Sequence, residues 1–220
     1  MPDLTFQVTG VKAASKGLVP LLQFEVAIKQ ASADSNQAVQ SVVLHAQIQI
    51  QSAQRSYNSD EKENLVELFG TPDRWGQTLR NRLWTSTATT VGSFTGEAQA
   101  ILSVLCTCDL AIAATKYFSA VEEGDVPLLF LFSGSIFYTD NQGQLQVQPI
   151  SWNAESTYKM PISVWKDMMD HHYPNSAWVC LRRDVFDRLA GLKRRQGDAT
   201  LDATLERLLA TAEEPQLETL

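Results

Sequence analysis

Two cysteines, Cys106 and Cys108, stand one residue apart and are the residues of this chain whose types and spacing most directly suggest chemistry. Further along the chain lie Cys180 and the pair His171-His172. Thiolate sulfur and imidazole nitrogen are ligands that zinc and other transition metals prefer, and a structural zinc site takes four of them. A metal-binding or thiol-dependent protein that uses these side chains is therefore one hypothesis.

The residues around the two cysteines favour a different interpretation, a packed β-strand. From Leu102 to Ile112 most even positions are apolar, so both sulfurs would point to the same apolar face. A buried cysteine packs as a small hydrophobic residue, and apolar surroundings make a thiol unreactive. We therefore expect Cys106 and Cys108 to belong to the core. His171 and His172 end a predicted helix, where the negative end of the helix dipole favours a cation.

No motif elsewhere in the sequence supplies an active site. The chain has no Walker loop, no dinucleotide-binding fingerprint, no HExxH pair and no nucleophile elbow. Strand-like residues follow Ser133-Gly134-Ser135, whereas a nucleophile elbow requires a helix at that point. The acidic run Asp60 to Glu63 is typical of the first turn of a helix. We accordingly predict a non-enzymatic protein with no catalytic residue and no cofactor.

Composition argues against several classes of partner. The chain has 220 residues, 44% of them hydrophobic and 20% charged, as in a folded globular protein. Its formal net charge of -7 gives little attraction for nucleic acid or an anionic membrane. The longest apolar run, Val126 to Phe132, is much shorter than a membrane span, and the N-terminus lacks a signal-peptide pattern. With three cysteines, an odd number, we expect a cytoplasmic protein.

The first 150 residues carry the period-two hydrophobic alternation of half-buried strands. Seven stretches are predicted as strands: Leu4–Val8, Leu22–Ile28, Val42–Ile50, Thr85–Phe94, Leu102–Ile112, Val126–Tyr138 and Leu145–Val147. Within this region, residues from about 59 to 82 change to a helical period. The pattern predicts an α+β fold that is mostly β, an antiparallel immunoglobulin-like β-sandwich with a helical insertion.

Residues 151–220 are predicted to form a helical C-terminal section packed on the sandwich. Its first helix follows Pro161, a residue that the first helical turn tolerates. The apolar stripe of that helix consists of Ile162, Trp165, Met168 and Met169. Two more helices are predicted over Asp184–Gly197 and Leu201–Leu209, and the tail from about residue 212 is expected to be mobile.

The five tryptophans lie outside the predicted strands, mostly in the helical insertion and the C-terminal section. They are Trp75, Trp84, Trp152, Trp165 and Trp178. Large aromatic side chains in such positions usually fasten appended helices to a core, and we favour that role, although they also anchor protein interfaces. The candidate partner-binding residues are Trp75, Trp84, Trp165 and Trp178, together with Arg182 and Arg183.

Motifs spread over most of the chain resemble those of one protein family. The segments are Leu68-Phe69-Gly70, Arg74-Trp75-Gly76, Leu83-Trp84, Cys106-Thr107, Lys116-Tyr117-Phe118, Gly124-Asp125-Val126-Pro127-Leu128, Leu131-Phe132-Ser133-Gly134, Pro161, Val164-Trp165, Met168, Tyr173-Pro174-Asn175-Ser176 and Arg182-Arg183-Asp184. In these segments the chain resembles an uncharacterised bacterial family known as a domain of unknown function.

This resemblance implies a gene neighbourhood of nickel-iron hydrogenase structural and maturation genes. It therefore implies an accessory role, with a hydrogenase subunit or maturation factor as the partner, and it carries no catalytic residue. The family pattern commonly has an aromatic residue at the position of Cys108, which leaves Cys106 as the cysteine of the pair that matters. Two hypotheses stand: a non-enzymatic binding or assembly protein, and a small metal-binding or thiol-dependent protein. The oligomeric state stays open.

Metal content and thiol reactivity distinguish these two hypotheses. If the cysteines pack in a core, the purified protein holds no stoichiometric metal, and Cys106 and Cys108 react slowly with a thiol reagent because burial shields the sulfurs. Elemental analysis and thiol titration of the wild type and of a Cys106→Ser, Cys108→Ser variant provide the measurement. Stoichiometric metal that is lost in the variant would contradict the core interpretation.

Overall fold

The computed structural model describes residues 2–14, 17–30, 38–107, 112–177 and 179–213. The strands are β1 (Leu4–Ala13), β2 (Leu21–Gln30), β3 (Val39–Ile50), β4 (Arg82–Val91), β5 (Glu97–Leu105), β6 (Asp125–Thr139), β7 (Leu145–Pro149) and β8 (Glu155–Pro161). The helices are α1 (Ser59–Asn64), α2 (Val66–Phe69), α3 (Trp75–Thr78), α4 (Ile112–Ala120), α5 (Ile162–His172), α6 (Arg183–Gln196) and α7 (Leu201–Glu213). None of the helices in these ranges has the length and apolarity to cross a membrane.

The strands form two antiparallel sheets that share one core. One sheet has the order β1-β2-β5, and the other has the order β4-β3-β6-β7, with β8 also paired to β6. Helices α1 to α3 lie between β3 and β4, and α5 to α7 follow the last strand. The predicted α+β class is confirmed, with its antiparallel sandwich, helical insertion and C-terminal helices.

Period-two alternation supplies the inner faces of both sheets. In β2, Phe24, Val26 and Ile28 are fully buried, while the residues between them are half-buried. Aromatic rings join the two sheets across the core, since the Phe24 and Phe130 ring centroids lie 5.1 Å apart. Burial of such side chains, at roughly 25 cal/mol per Å² of apolar surface, is the main force that holds the sheets together.

Strand β5 is shorter than the sequence predicts. The strand ends at Leu105, opposite Leu21, whereas the alternation predicts a strand as far as Ile112, which instead begins α4. The preceding residue of the partner strand is Pro20, which has no N–H to continue the ladder. The carbonyl of Pro20 still accepts a hydrogen bond of 2.9 Å from the N–H of Cys106, and regular pairing stops there.

Strand β8 is an element that the sequence analysis missed. Its exposed residues are polar, and Ser156 occupies a buried position where the strand pattern requires an apolar side chain. The hydroxyl of Ser156 accepts a hydrogen bond of 3.0 Å from the N–H of Val8 in β1. This bond joins the two sheets along one edge and makes the buried hydroxyl tolerable.

Strands β7 and β8 lie end to end along the same edge of β6. Ser135 pairs with Pro149 and Leu131 pairs with Glu155, so the five residues 150–154 face only the three residues 132–134. Backbone hydrogen bonds close this bulge on both sides, from Phe132 N–H to Ala154 and from Ile150 N–H to Gly134. The bulge therefore interrupts the pairing without ending the sheet.

Residues Met1–Ser176 and Ala177–Leu220 form two compact units. In the second unit, α6 ends at Gly197, whose left-handed conformation is typical of a helix C-terminus. Asp198 follows, and its carboxylate accepts hydrogen bonds from Thr204 at 2.7 Å and from Arg207 at 3.0 Å. These contacts fasten the turn that connects α6 to α7.

The bulge makes Gly134 irreplaceable. Its φ is +134°, and a Cβ at this position would lie 1.9 Å from the carbonyl oxygen of Val43 in β3. We expect Gly134→Ala to destabilise the fold by about 3 kcal/mol or more, because backbone must move to make room. Urea unfolding of the full chain measures the change.

A matched control for this substitution is Gly143→Ala in the β6–β7 turn. Gly143 also has a positive φ, of +80°, but an added Cβ there has no atom within 4 Å. The control should cost only about 1–2 kcal/mol, the ordinary penalty for an L-residue in the left-handed region. Equal losses in the two variants would show that the close approach to Val43 does not constrain the fold.

Candidate functional site

A buried ion pair joins the helical insertion to the start of β6. Both terminal nitrogens of Arg55 donate to the carboxylate of Glu61 at 2.9 Å, and the side chains are only 11% and 3% exposed. The guanidinium also donates to the carbonyl oxygens of Glu123 and, at 3.1 Å, Asp125. Because a planar guanidinium matches a carboxylate bidentately, this pair holds the insertion in a single orientation.

The same carboxylate caps the first helix of the insertion. Asn58 accepts a hydrogen bond of 2.7 Å from the N–H of Glu61, and its own N–H donates to the Glu61 carboxylate at 3.2 Å, which completes a capping box. The N–H of Glu122, after α4, donates to the second carboxylate oxygen at 2.9 Å. Burial raises the pKa of Glu61, but hydrogen bonds from Arg55 and from the two backbone groups outweigh burial and leave the pKa below its ordinary value.

Two tyrosines extend this cluster into the core. The hydroxyls of Tyr57 and Tyr117 lie 2.8 Å apart, and Tyr57 donates to the carbonyl oxygen of Ser52 at 2.8 Å. Burial raises the pKa of both phenols. Arginine, carboxylate and phenols with shifted pKa values are also found in active sites. Here both oxygens of the carboxylate are occupied by Arg55 and by backbone N–H groups, so the cluster serves as an anchor.

Cys106 lies in the core, just past the end of β5. It is 5% exposed and shares its buried face with Leu102 and Val104, as the alternation predicts. Its thiol donates to the carbonyl oxygen of Val104 at 3.5 Å. The other member of the pair, Cys108, lies outside the described residues. Cys180 is exposed and belongs to the second unit.

The two histidines end α5. The Nδ1 atom of His172 lies 2.9 Å from the carbonyl oxygen of Met168, and Nε2 lies 3.3 Å from that of Gly17. Carbonyl oxygens thus face both nitrogens of this ring. His171 stacks edge-on against His172 with the ring centroids 5.3 Å apart. Among the residues that the structure describes, no three His, Cys, Asp or Glu side chains gather as metal ligands would.

Three of the tryptophans predicted to bind a partner are buried in the first unit. Trp75, Trp84 and Trp165 are only 6–7% exposed. Trp84 and Trp165 both contact Phe118 in α4, with ring centroids at 4.9 and 5.3 Å. Trp75 donates to the carbonyl oxygen of Gly70 at 2.8 Å. Partner binding by these residues stays a prediction, and it would require them to leave the core.

The remaining predicted partner residues lie in the second unit. Arg182 and Arg183 are 79% and 87% exposed, and among the described residues they pair only with Asp184 and Asp187 on the same segment. Trp178 lies outside the described residues. Solvent-exposed pairs of this kind contribute little to stability, so both guanidinium groups are available to a partner.

Trp152 is the residue that the sequence analysis passed over. It sits in the bulge between β7 and β8 and is 95% exposed. On the neighbouring strand β7, Leu145 and Val147 are 64% and 58% exposed. We call these three residues the β7 surface. One sequence signal indicated that Trp152 is exposed: it lies between the turn-forming residues Ser151 and Asn153, shortly after a strand.

The strand edge beside these side chains also presents backbone groups. Within the described part of the chain, β7 pairs with β6 on one side and with no strand on the other. Its sequence, Leu-Gln-Val-Gln-Pro, carries no charge. Natural sheet edges are commonly protected by lysine or other charged residues, and this strand has none.

Comparison with known proteins identifies the family. Residues 1–217 match the family of unknown function DUF6084, and the chain therefore belongs to that family. Its membership of an uncharacterised domain family, which the motifs predict, is confirmed, and the description of the family names no activity. No curated protein is similar enough to be counted as a relative.

Several solved structures share local likeness with the chain. The CARDB domain of a Pyrococcus furiosus protein in complex with di-metal ions is 16% identical over 73% of this chain and 87% of that chain, with a TM-score of 0.26. A putative late embryogenesis abundant protein is 15% identical over 73% of each chain, with a TM-score of 0.29. The putative ApaA protein of Bordetella pertussis is 14% identical over 73% and 95%, with a TM-score of 0.23. Scores this low carry no inference about function.

Removal of the Glu61 charge tests the anchoring cluster. We expect Glu61→Gln to destabilise the fold by about 3 kcal/mol near neutral pH, because Arg55 is left buried without a counter-charge. The folded-state pKa of Glu61 lies below 4.5, so the pair stabilises the fold above that pH, and its contribution is lost as the pH falls through the folded-state pKa. The Glu61→Gln variant should lack the part of the acid-induced loss of stability that comes from protonation of Glu61. Urea unfolding between pH 3 and 7 measures both effects.

Glu63→Gln provides the control on the same helix. Glu63 is exposed. Its substitution removes the same charge as Glu61→Gln but leaves the ion pair between Arg55 and Glu61 in place. It should change the free energy of unfolding by less than about 0.5 kcal/mol. If Glu61→Gln behaved like Glu63→Gln at every pH, the ion pair would not hold the insertion.

Proposed function

We propose that this protein is a non-enzymatic accessory protein that binds another protein through the β7 surface. In its specific form, the partner is a hydrogenase subunit or maturation factor, and the protein assists the assembly or maturation of a nickel-iron hydrogenase in the cytoplasm. The single observation that carries the proposal is an uncharged strand edge whose exposed side chains are apolar and which is followed, three residues after its end, by an exposed tryptophan.

The edge of β7 suits the addition of a strand. Its outer backbone groups can pair with an extended segment of a partner, and backbone pairing of this kind supplies affinity with little dependence on sequence. Leu145 and Val147 project on alternate positions, 64% and 58% exposed, and would pack against alternate side chains of the added strand. These two contacts would determine the specificity for the partner.

Trp152 would serve as the anchor of the interface. Tryptophan is enriched among the residues that dominate binding energy. At 95% exposure, this side chain presents a large apolar surface to water in the unbound protein, and a partner would bury that surface. The hydrogen bonds that close the bulge at Phe132 and Ile150 hold its backbone in place. A preorganised anchor lowers the entropy cost of binding.

The family resemblance supports the identity of the partner. Its implied gene neighbourhood points to hydrogenase structural and maturation proteins, and the net charge of -7 argues against nucleic acid as an alternative. Arg182 and Arg183 remain proposed as additional contacts, because their guanidinium groups are exposed.

Capture of partners by the tagged full chain in its source organism tests this proposal. We expect a hydrogenase subunit or maturation factor to be recovered and identified by mass spectrometry. Trp152→Ala should weaken binding to that purified partner by about 30-fold, since a hot-spot residue contributes about 2 kcal/mol. Val147→Asp should weaken it as well, because the substitution places a charge on the paired edge.

Leu18→Asp is the control for general loss of apolar surface. Leu18 is fully exposed in the β1–β2 connection and lies outside the β7 surface. This variant should bind the partner as the wild type does. Recovery without any hydrogenase component would contradict the specific form of the proposal, and equal binding by the wild type, Trp152→Ala and Val147→Asp would contradict the surface.

A further inference from the structure

We propose that the second unit is a homodimerisation module in which α7 of one copy packs into a groove on α6 of another copy, reciprocally. The inference goes beyond the proposed function and uses a different surface. It rests on a groove and a helix stripe that each lack a partner among the described residues and that match each other in apolar surface and charge.

The groove lies along α6 and has a volume of about 730 Å³. Apolar side chains form its floor: Val185, Leu189 and Leu192 from α6, and Leu208 from α7. Gly191 also lines it, so at one position the floor consists of helix backbone. A glycine inside a helix costs about 1 kcal/mol of helix stability, but it allows another helix to approach closely.

The charged part of the lining consists of three arginines and one carboxylate, that of Asp187, so positive charge dominates around this floor. Helix α6 has five Lys or Arg residues and two Asp residues. One of its arginines, Arg183, pairs with Asp187. Three others, Arg188, Arg194 and Arg195, line the groove and have no carboxylate partner among the described residues. A fitting occupant must therefore combine an apolar stripe with acidic residues.

Helix α7 has that combination. Leu205, Leu208 and Leu209 lie on one side of the helix at spacings of three and four residues, and they are 39%, 42% and 60% exposed. The helix carries three acidic residues, which are Asp202, Glu206 and Glu213, and one arginine. That arginine, Arg207, is engaged with Asp198, so the outer charge of α7 is acidic.

A second copy satisfies both requirements with one contact. Each copy supplies one basic groove and one acidic stripe, so a two-fold axis lets each α7 occupy the groove of the other copy. Leu205 and Leu209 would pack onto Leu189 and Leu192, and Asp202 and Glu206 would approach the arginines of the rim. The product is a four-helix bundle of two antiparallel helical hairpins. Its core consists of the apolar stripes that each two-helix unit exposes when it is alone.

Analytical ultracentrifugation of the full chain over a wide concentration range tests the inference. The wild type should show a reversible monomer–dimer equilibrium. Leu209→Asp should weaken the dimer by about 1,000-fold, because two-fold symmetry removes two leucine burials, each worth about 30-fold. Gly191→Leu should also weaken it, because the new side chain fills the groove, although the substitution favours the helix itself.

Charge exchange distinguishes this interface from a general loss of structure. Arg194→Glu with Arg195→Glu should dissociate the dimer, and addition of Asp202→Lys with Glu206→Lys in the same chain should restore it, because each rim again faces opposite charge. Circular dichroism verifies that each variant keeps its helices.

Leu18→Asp and Val147→Asp are the controls, and both should dimerise as the wild type does. Val147→Asp loses partner binding if the β7 surface is correct, so failure of the dimer and failure of the proposed function give different results. A wild type that stays monomeric at all concentrations overturns the inference. A dimer that survives both Leu209→Asp and Gly191→Leu, or that charge exchange does not restore, overturns it too.

Discussion

The backbone of β6 is the constraint on which the rest of the sandwich depends. This strand runs for fifteen residues, and its groups must be paired on both edges because a buried N–H or carbonyl without a partner is costly. Strand β3 covers one edge over most of that length. The other edge is covered by two strands in turn, β7 and β8, with an offset between them at Gly134. The position of Trp152 follows directly from that offset.

The start of β6 organises the helices of the first unit in a comparable way. Carbonyl groups of Glu123 and Asp125 bind the guanidinium of Arg55, and the carbonyl of Gly124 accepts a hydrogen bond from Ile162, the first residue of α5. Two separate elements, the helical insertion and α5, thus take their orientation from one short stretch of backbone. The buried charge of Glu61 is stabilised because Arg55 supplies the counter-ion and the backbone N–H groups of Asn58 and Glu122 supply further donors.

Much of this fold follows from local pattern, and the exceptions have non-local causes. Alternation in β1, β2 and β3 predicts their inner faces, and it correctly places Cys106 beside Leu102 and Val104. The predicted end of β5 was wrong because the strand end depends on Pro20, which is far away in the sequence. Strand β8 was missed because Ser156 is polar, and it is buried only through its hydrogen bond to Val8. Glu61, which the pattern assigns to a helix start, is buried because Arg55 faces it. Trp152, the most exposed tryptophan in the described part of the chain, was not selected, although the turn-forming residues Ser151 and Asn153 on either side of it indicate exposure.

The bulge between β7 and β8 makes the register of β7 on β6 independent of the register of β8 on β6. Each strand is fixed on β6 by its own ladder, so a change in the number of residues between them shifts neither side of the sheet. This makes the exposed residues 151–153 a place where length and sequence can vary without cost to the core, whereas Ile150 is buried in it. Evolution of a new specificity, or the grafting of a foreign recognition loop, can therefore proceed there while the two flanking strands remain in register.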